Sequence, residues 1–138
     1  MKGLHLLGIE SEYAPINDIV TGGRKISGNA QTRKLGIVLQ HGTVLMDVDV
    51  DTMFSLLKVP NEKIKDKLIS DAKQRVTSIH HCLGKEVSFK EVAGAMKRGF
   101  EEGFHVELVE GKLSEEELGL AKQFEKESFS KKEWNYRR

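Results

Sequence analysis

The chain changes character at Asp51, and that change constrains its fold more than any other feature. Before Asp51 the sequence is rich in glycine and β-branched residues; after it, apolar residues recur at helical spacing behind strong capping signals. Strands followed by helices argue for an α+β fold rather than alternating βαβ units. In "NDIVTGGRKISGNAQ" (17–31) the diglycine Gly22-Gly23 separates two half-apolar runs and predicts a hairpin. "LGIVLQHGTVLMDVD" (35–49) reads as one longer strand, and its Val, Ile and Leu on both parities predict burial on both faces.

Asp51 is placed to cap a short helix over "TMFSLLK" (52–58), which Pro60 ends or separates from the next. In "NEKIKDKLISDAKQRV" (61–76), Ile64, Leu68, Ala72 and Val76 recur every four residues and predict a helix with one core-facing stripe. Ser88 with Glu91 and Ser114 with Glu117 form capping boxes that start two further helices, flanked by the apolar pairs Val87/Val92 and Leu113/Leu118. Behind the first box, Phe89, Val92, Met96, Phe100 and Phe104 predict a second core-facing stripe. "FHVELVEGK" (104–112) alternates like a strand ending in a glycine turn. No repeat or linker interrupts the chain, and 138 residues with 38% hydrophobic content fit a single domain over 1–138.

With 22 basic and 21 acidic residues the formal charge is +1, so no global field favours nucleic acid or an anionic membrane as partner. Any bound anion must be held locally. The single cysteine, Cys82, excludes an internal disulfide and suits a reducing cytoplasm. The apolar run in "MKGLHLLGIESEY" is too short for a signal peptide or a membrane span, so a soluble cytoplasmic protein is expected.

Few residues carry candidate chemistry. "GGRKISGN" lacks the G-x-x-x-x-G-K-[ST] spacing of a nucleotide phosphate loop, since Asn29 follows Gly28. The consecutive His80, His81 and Cys82 diverge in direction, and no second cluster completes a tetrahedral metal set. Nothing marks Cys82 as an activated nucleophile. Lys25 differs in kind: on a regular strand Lys25 and Ser27 project to one side and Arg24 and Ile26 to the other, and Gly28 leaves room for close approach beside them. From the residues alone, a solvated surface lysine is the ordinary outcome and a site lysine the alternative.

"NDIV", "GRKISGNAQ", "HGTVLMDVD", "LKVPNEKIKDK", "RVTSI" and the terminal "KKEWNYRR" together resemble, in this order, the second half of lipoate-protein ligase catalytic domains. The resemblance implies the α+β ligase fold shared with biotin-protein ligases, a mixed or antiparallel sheet packed with helices. It implies activation of lipoate with ATP and Mg2+ to lipoyl-AMP, then transfer to a lysine of a lipoyl-accepting domain. Lys25 then corresponds to the catalytic lysine that touches the acyl carbonyl and adenylate phosphate. Asn17 and Asp18 correspond to the pair near the nucleotide phosphates, with Asp18 toward magnesium. Ser27, Gly28, Ala30 and the "HGT" of His41, Gly42 and Thr43 correspond to the cofactor-binding cleft. An ammonium there suits the chemistry: at about 4 Å and an effective dielectric near 20, one unit-charge pair is worth about 4 kcal/mol.

Two departures from the family pattern shape the expectation. The arginine- and glycine-rich loop R-R-x-x-G-G-G-x-V-x-H that encloses the lipoyl chain is absent, as is the C-terminal accessory domain of some members. Met1 falls near the end of what would be a helix of the complete enzyme. The resemblance therefore implies a half-domain whose exposed surface is covered by an N-terminal-half ligase chain carrying the glycine-rich lipoyl loop, or by self-association. Its acceptors would be the family's lipoyl-accepting domains, the glycine cleavage H protein and the acyltransferase subunits of 2-oxoacid dehydrogenases. Related octanoyltransferases use a cysteine near this cleft, and "INDIV" and "LKVPNEK" contain none, which favours ATP-dependent ligation over octanoyl or lipoyl transfer. A non-catalytic remnant or binding module of the same fold is the remaining alternative.

Overall fold

Gly22 and Gly23 turn the chain back on itself with φ values of 53° and 72°, where glycine alone avoids a steric cost, and so join two strands as the sequence predicts. These are β2 (Asp18–Thr21) and β3 (Arg24–Lys34); β1 (Glu12–Ala14) precedes them and β4 (Ile37–Val44) follows. The four form one sheet in the order β1-β2-β3-β4, antiparallel throughout. The computed structural model describes residues 1–56 and 65–137. Helices α1 (Lys2–Leu6), α2 (Val50–Leu56), α3 (Lys65–Arg75), α4 (Ile79–Leu83) and α5 (Phe89–Phe104) complete the first of two compact units, Met1–Glu107. The fold class is α+β, as expected.

The core of this unit joins Leu4 of α1, Ile26 of β3, Ile79 of α4 and Val87 and Val92 at the start of α5, with Ile9 between them. Helices α1 and α5 cross so closely that a Cβ on Gly99 would meet the backbone of Gly3. Ser88 caps α5 through the full reciprocal box with Glu91, as predicted. The hydrogen bonds from the Ser88 side chain and backbone hold the Glu91 carboxyl below its ordinary value.

The second unit, Leu108–Arg138, is helical from Glu115 to Asn135 apart from a short break at 130–131. Ser114 and Glu117 form the predicted box at the start of α6 (Glu115–Phe124), which passes into a π-helical turn at Glu125–Phe129 and then α7 (Lys132–Asn135). Phe129 meets Trp134 edge to face at 5.4 Å, and the Arg137 guanidinium lies 4.4 Å over the Trp134 ring.

Several expectations change. β4 ends at Val44, and Ile37, Val38 and Leu39 are 55–68% exposed, so the run is not buried on both faces. It pairs with β3 well beyond the reach of β2, where the sheet is a two-stranded ribbon. Asp49, not Asp51, caps α2: its Oδ1 accepts from the Thr52 amide at 3.1 Å, and the Thr52 hydroxyl donates to its other oxygen, which together hold the Asp49 carboxyl below its usual range. On α5 only Val92 and Met96 of the predicted stripe join the core; Phe89, Phe100 and Phe104 are 56–76% exposed, because the short α1 covers only the middle of the longer helix. Segment 106–113 is irregular rather than a strand; alternation yields a strand only where a neighbour supplies the ladder. Leu113 and Leu118 are both exposed. Leu68, Ala72 and Val76 are half-buried, while Pro60 and Ile64 lie outside the described residues.

Candidate active site

An irregularity in the β2–β3 pairing decides what Lys25 faces. Ile19 pairs with Ser27 and Val20 with Lys25, so Ile26 is an extra residue on β3, a β-bulge. The bulge shifts the alternation by one. Lys25 consequently shares a face with Gly28 and Asp18, while Ser27 falls on the opposite face with Ile19 and Asn29. The expectation that Lys25 and Ser27 project together is thus corrected; it assumed an unbroken strand.

The Lys25 Nζ lies 2.7 Å from Asp18 Oδ1, the two side chains being 41% and 30% exposed. That carboxylate oxygen is closed to solvent, with the ammonium as its ion-pair partner. A pair this open stabilises a fold by at most about 1 kcal/mol, so its main effect is to place charge. The Lys25 backbone is held from both sides: Val20 pairs with it across the hairpin, and on the other side Val76 bridges to it in parallel while the Thr77 amide donates to its carbonyl at 2.8 Å. Sequence reasoning missed this clamp, since "RVTSI" contains no chemical signature and its buried Thr77, Ser78 and Ile79 act through backbone and packing.

The other expected site residues divide between two faces. Thr43 pairs with Gly28 and His41 with Ala30, which puts all four on the Lys25 face by register. Gly42 pairs with Asn29 on the other face, where a Cβ at position 42 would collide with the Asn29 amide. Asn17 is taken up by β3: its side-chain amide donates to the Asn29 carbonyl, and its own carbonyl accepts from the Asn29 backbone and side chain at 2.9 and 3.2 Å. Ser27 and Asn29, with Ile19, line a cleft of ≈ 250 Å³ whose other wall is Met96, Gly99 and Phe100 of α5. The strand carrying His41 and Thr43 also borders that cleft.

Among the described residues no group of three or more His, Cys, Asp or Glu could hold a metal ion. Magnesium needs fewer protein ligands, because it keeps several waters and binds through one or two carboxylates plus substrate phosphates. A part-exposed carboxylate such as Asp18 is compatible with that mode, although its Oδ1 is ion-paired to Lys25. The "HHC" triplet diverges as expected: His80 Nε2 lies 3.1 Å from the Val87 carbonyl, His81 Nε2 3.1 Å from Arg24, and Cys82 Sγ 3.6 Å from the Thr77 hydroxyl. Among the described residues no helix is long and apolar enough to cross a membrane.

Known proteins resemble this chain in sequence and fold. Octanoyltransferase LipM of Brevibacillus brevis is 40% identical over 121 residues, covering 88% of this chain and 44% of that protein. LipM of Bacillus subtilis is 36% identical over the same length. An archaeal bi-partite lipoate protein ligase from Thermoplasma acidophilum, described together with its E2 lipoyl domain, matches 97% of this chain and 52% of that chain at a TM-score of 0.87 and 32% identity. A lipoate-protein ligase A bound with ATP matches 97% of this chain and 53% of that chain at a TM-score of 0.79 and 29% identity. The chain thus spans about half the length of the proteins it matches. Residues 1–101 match the model of the lipoyl protein ligase A/B catalytic domain, and with the fold and relatives above this chain belongs to that family.

Proposed function

We propose that this chain is the lysine-bearing half of an ATP-dependent lipoate-protein ligase, acting with a complementary half that supplies the lipoyl-enclosing loop. The observation that carries the reading is the Lys25–Asp18 pair, an ammonium and a carboxylate 2.7 Å apart and both part-exposed on a sheet face where no thiol lies. A carboxylate attacking the α-phosphorus of ATP brings two anions together, and further charge gathers on the phosphoryl oxygens. Lys25 offsets it from a strand whose backbone is clamped on both edges, so only the lysine side chain has to move when that charge develops. Asp18 would hold Mg2+, which neutralises phosphate charge when bound. His41, Thr43 and Ala30 share that face by register, where they would border a bound adenylate.

The names of the curated relatives favour a second reading, octanoyl transfer. That chemistry passes through a thioester and needs a thiol at the cleft. The single cysteine, Cys82, sits on α4 beside Thr77, and the four strands carry none. Ligation is the better supported of the two, and the ATP-bound ligase among the structural relatives points the same way. Lipoyl-accepting domains are the proposed acceptors, in keeping with the E2 lipoyl domain named with the bi-partite relative.

The test combines this chain with a candidate N-terminal half, ATP, magnesium, lipoate and an acceptor domain, and follows the acceptor mass. A lipoyl increment that requires ATP is expected. An increment obtained without ATP from an octanoyl-carrier protein would replace this reading with transfer, and no increment with any partner would favour a non-catalytic module.

A further inference from the structure

We infer that Gly28 is a positioning residue, its missing side chain being the space in which the Lys25 ammonium pairs with Asp18. An ideal Cβ built at Gly28 would stand 2.9 Å from both Cε and Nζ of Lys25 and 3.7 Å from Asp18 Oδ1. The backbone gives no other reason for glycine. Gly8, Gly22, Gly23, Gly36 and Gly84 have positive φ and open space where a Cβ would go; Gly28 is absent from the positive-φ set and has its space filled. Glycine inside a strand costs stability, so its use here calls for a local cause.

Three features bring the ammonium to that space. The bulge at Ile26 rotates Lys25 onto the Gly28 face; without it, an offset of three residues would put the two on opposite faces. The Val76–Thr77 segment fixes the Lys25 backbone, leaving only side-chain torsions to set where the charge lies. Asp18, paired with Gly28 across the hairpin, then captures the ammonium over the bare backbone. A methyl group at position 28 evicts the end of a flexible side chain without straining the strand, so the fold survives and the charge moves.

This inference rests on the proposed function for its consequence: Asp18 and Gly28 hold the ammonium at a resting position from which an anionic ligand draws it. Its geometry stands apart from that reaction, and the test keeps the two separate. Lys25 is labelled with an amine-acylating reagent and read by mass spectrometry against the exposed Lys112 as internal standard. Gly28→Ala is expected to unfold at the wild-type temperature and to raise Lys25 labelling about three-fold or more, the scale on which a part-exposed ion pair holds a group. Asp18→Asn should raise it similarly, and the double variant no further. Additive effects, or unchanged Lys25 labelling in Gly28→Ala, would overturn the inference. In the assembled system Gly28→Ala should lower the single-turnover rate of pyrophosphate release by about ten-fold or more, with a smaller change in the KM for ATP, because displacement by about 1 Å can cost up to a hundred-fold in rate. Wild-type protein that releases no pyrophosphate with any complementary half would remove the proposed function and leave the labelling result to decide the inference.

Discussion

At the scale of the residue, charge placement separates Lys25 from the other described lysines. Its ammonium is confined by Asp18, by Gly28 and by a backbone held on both edges, whereas Lys97, for example, pairs with Glu101 one helical turn on at 3.8 Å. Replacing Lys25 by alanine removes the one cation, among the described residues, that the register places beside Gly28 and Thr43 on this face. If the proposed ligase assembles, its pyrophosphate release should fall by about a hundred-fold or more, the size of effect seen when a single oxyanion donor is lost. Unfolding should stay within about 1 kcal/mol of wild type, since a part-exposed ion pair contributes no more than that. Normal pyrophosphate release by Lys25→Ala would end the assignment. Lys25→Arg should not restore the rate, because the bulkier planar guanidinium does not fit a space bounded by a bare glycine backbone.

At the scale of the element, the sequence states what local signals control and is silent on what distant packing controls. The diglycine hairpin and both capping boxes form as read, because each depends on residues within three positions of one another. The box at Ser88 has a testable pH signature. Glu91 is held below the ordinary carboxyl value of 4.5 when folded, so the box stabilises α5 fully above that value and loses its effect as pH falls through the lower folded value. Ser88→Ala should therefore lower stability by about 1 kcal/mol near neutral pH. The difference from wild type in urea unfolding should shrink on acidification below 4.5, and a difference constant down to about pH 3 would contradict the capping role. The α1–α5 crossing was not legible, because nothing in "KRGFEEGF" says that Gly99 will meet Gly3 rather than solvent. Nor was the bulge at Ile26, since period-two alternation assumes the regular strand that a bulge interrupts. It is the bulge that reassigned Ser27 from the Lys25 face to the α5 cleft. Gly99→Ala, forced against the Gly3 backbone, should destabilise the first unit by about 2 kcal/mol in urea unfolding, as overpacking does; an unchanged midpoint would mean that α1 can yield.

At the scale of the molecule, the β3–β4 ribbon is the feature that the chain by itself leaves unexplained. Asp18 pairs with Gly28 and Asn17 with Asn29, but from the Ala30–His41 row to the Lys34–Ile37 row the two strands have no third among the described residues. A two-stranded ribbon is at best marginally stable in water, and an exposed apolar edge invites pairing. Leu35, Ile37, Val38 and Leu39 are each more than half exposed at its end, and between Asn29 and Leu45 it carries Arg33 and Lys34 but no acidic residue. Such a surface suits an apolar partner strand with acidic flanks. Since this chain matches only about half of each ligase relative, the proposed complementary half is the natural source of that strand. Leu39, which pairs with Thr32 far from Lys25 along the strand, is where the idea can be separated from the chemistry. Leu39→Glu puts a charge where apolar area would be buried and should weaken association with the complementary half by about ten-fold or more, which corresponds to roughly 1.4 kcal/mol or one well-buried side chain. Because Leu39 already faces solvent, the unfolding of this chain alone should not change. Sedimentation of the two halves over a concentration series reads the association directly. Equal affinity in wild type and variant would move the docking surface elsewhere, whereas loss of a wild-type self-association in the variant would identify a second copy of this chain as the ribbon's cover.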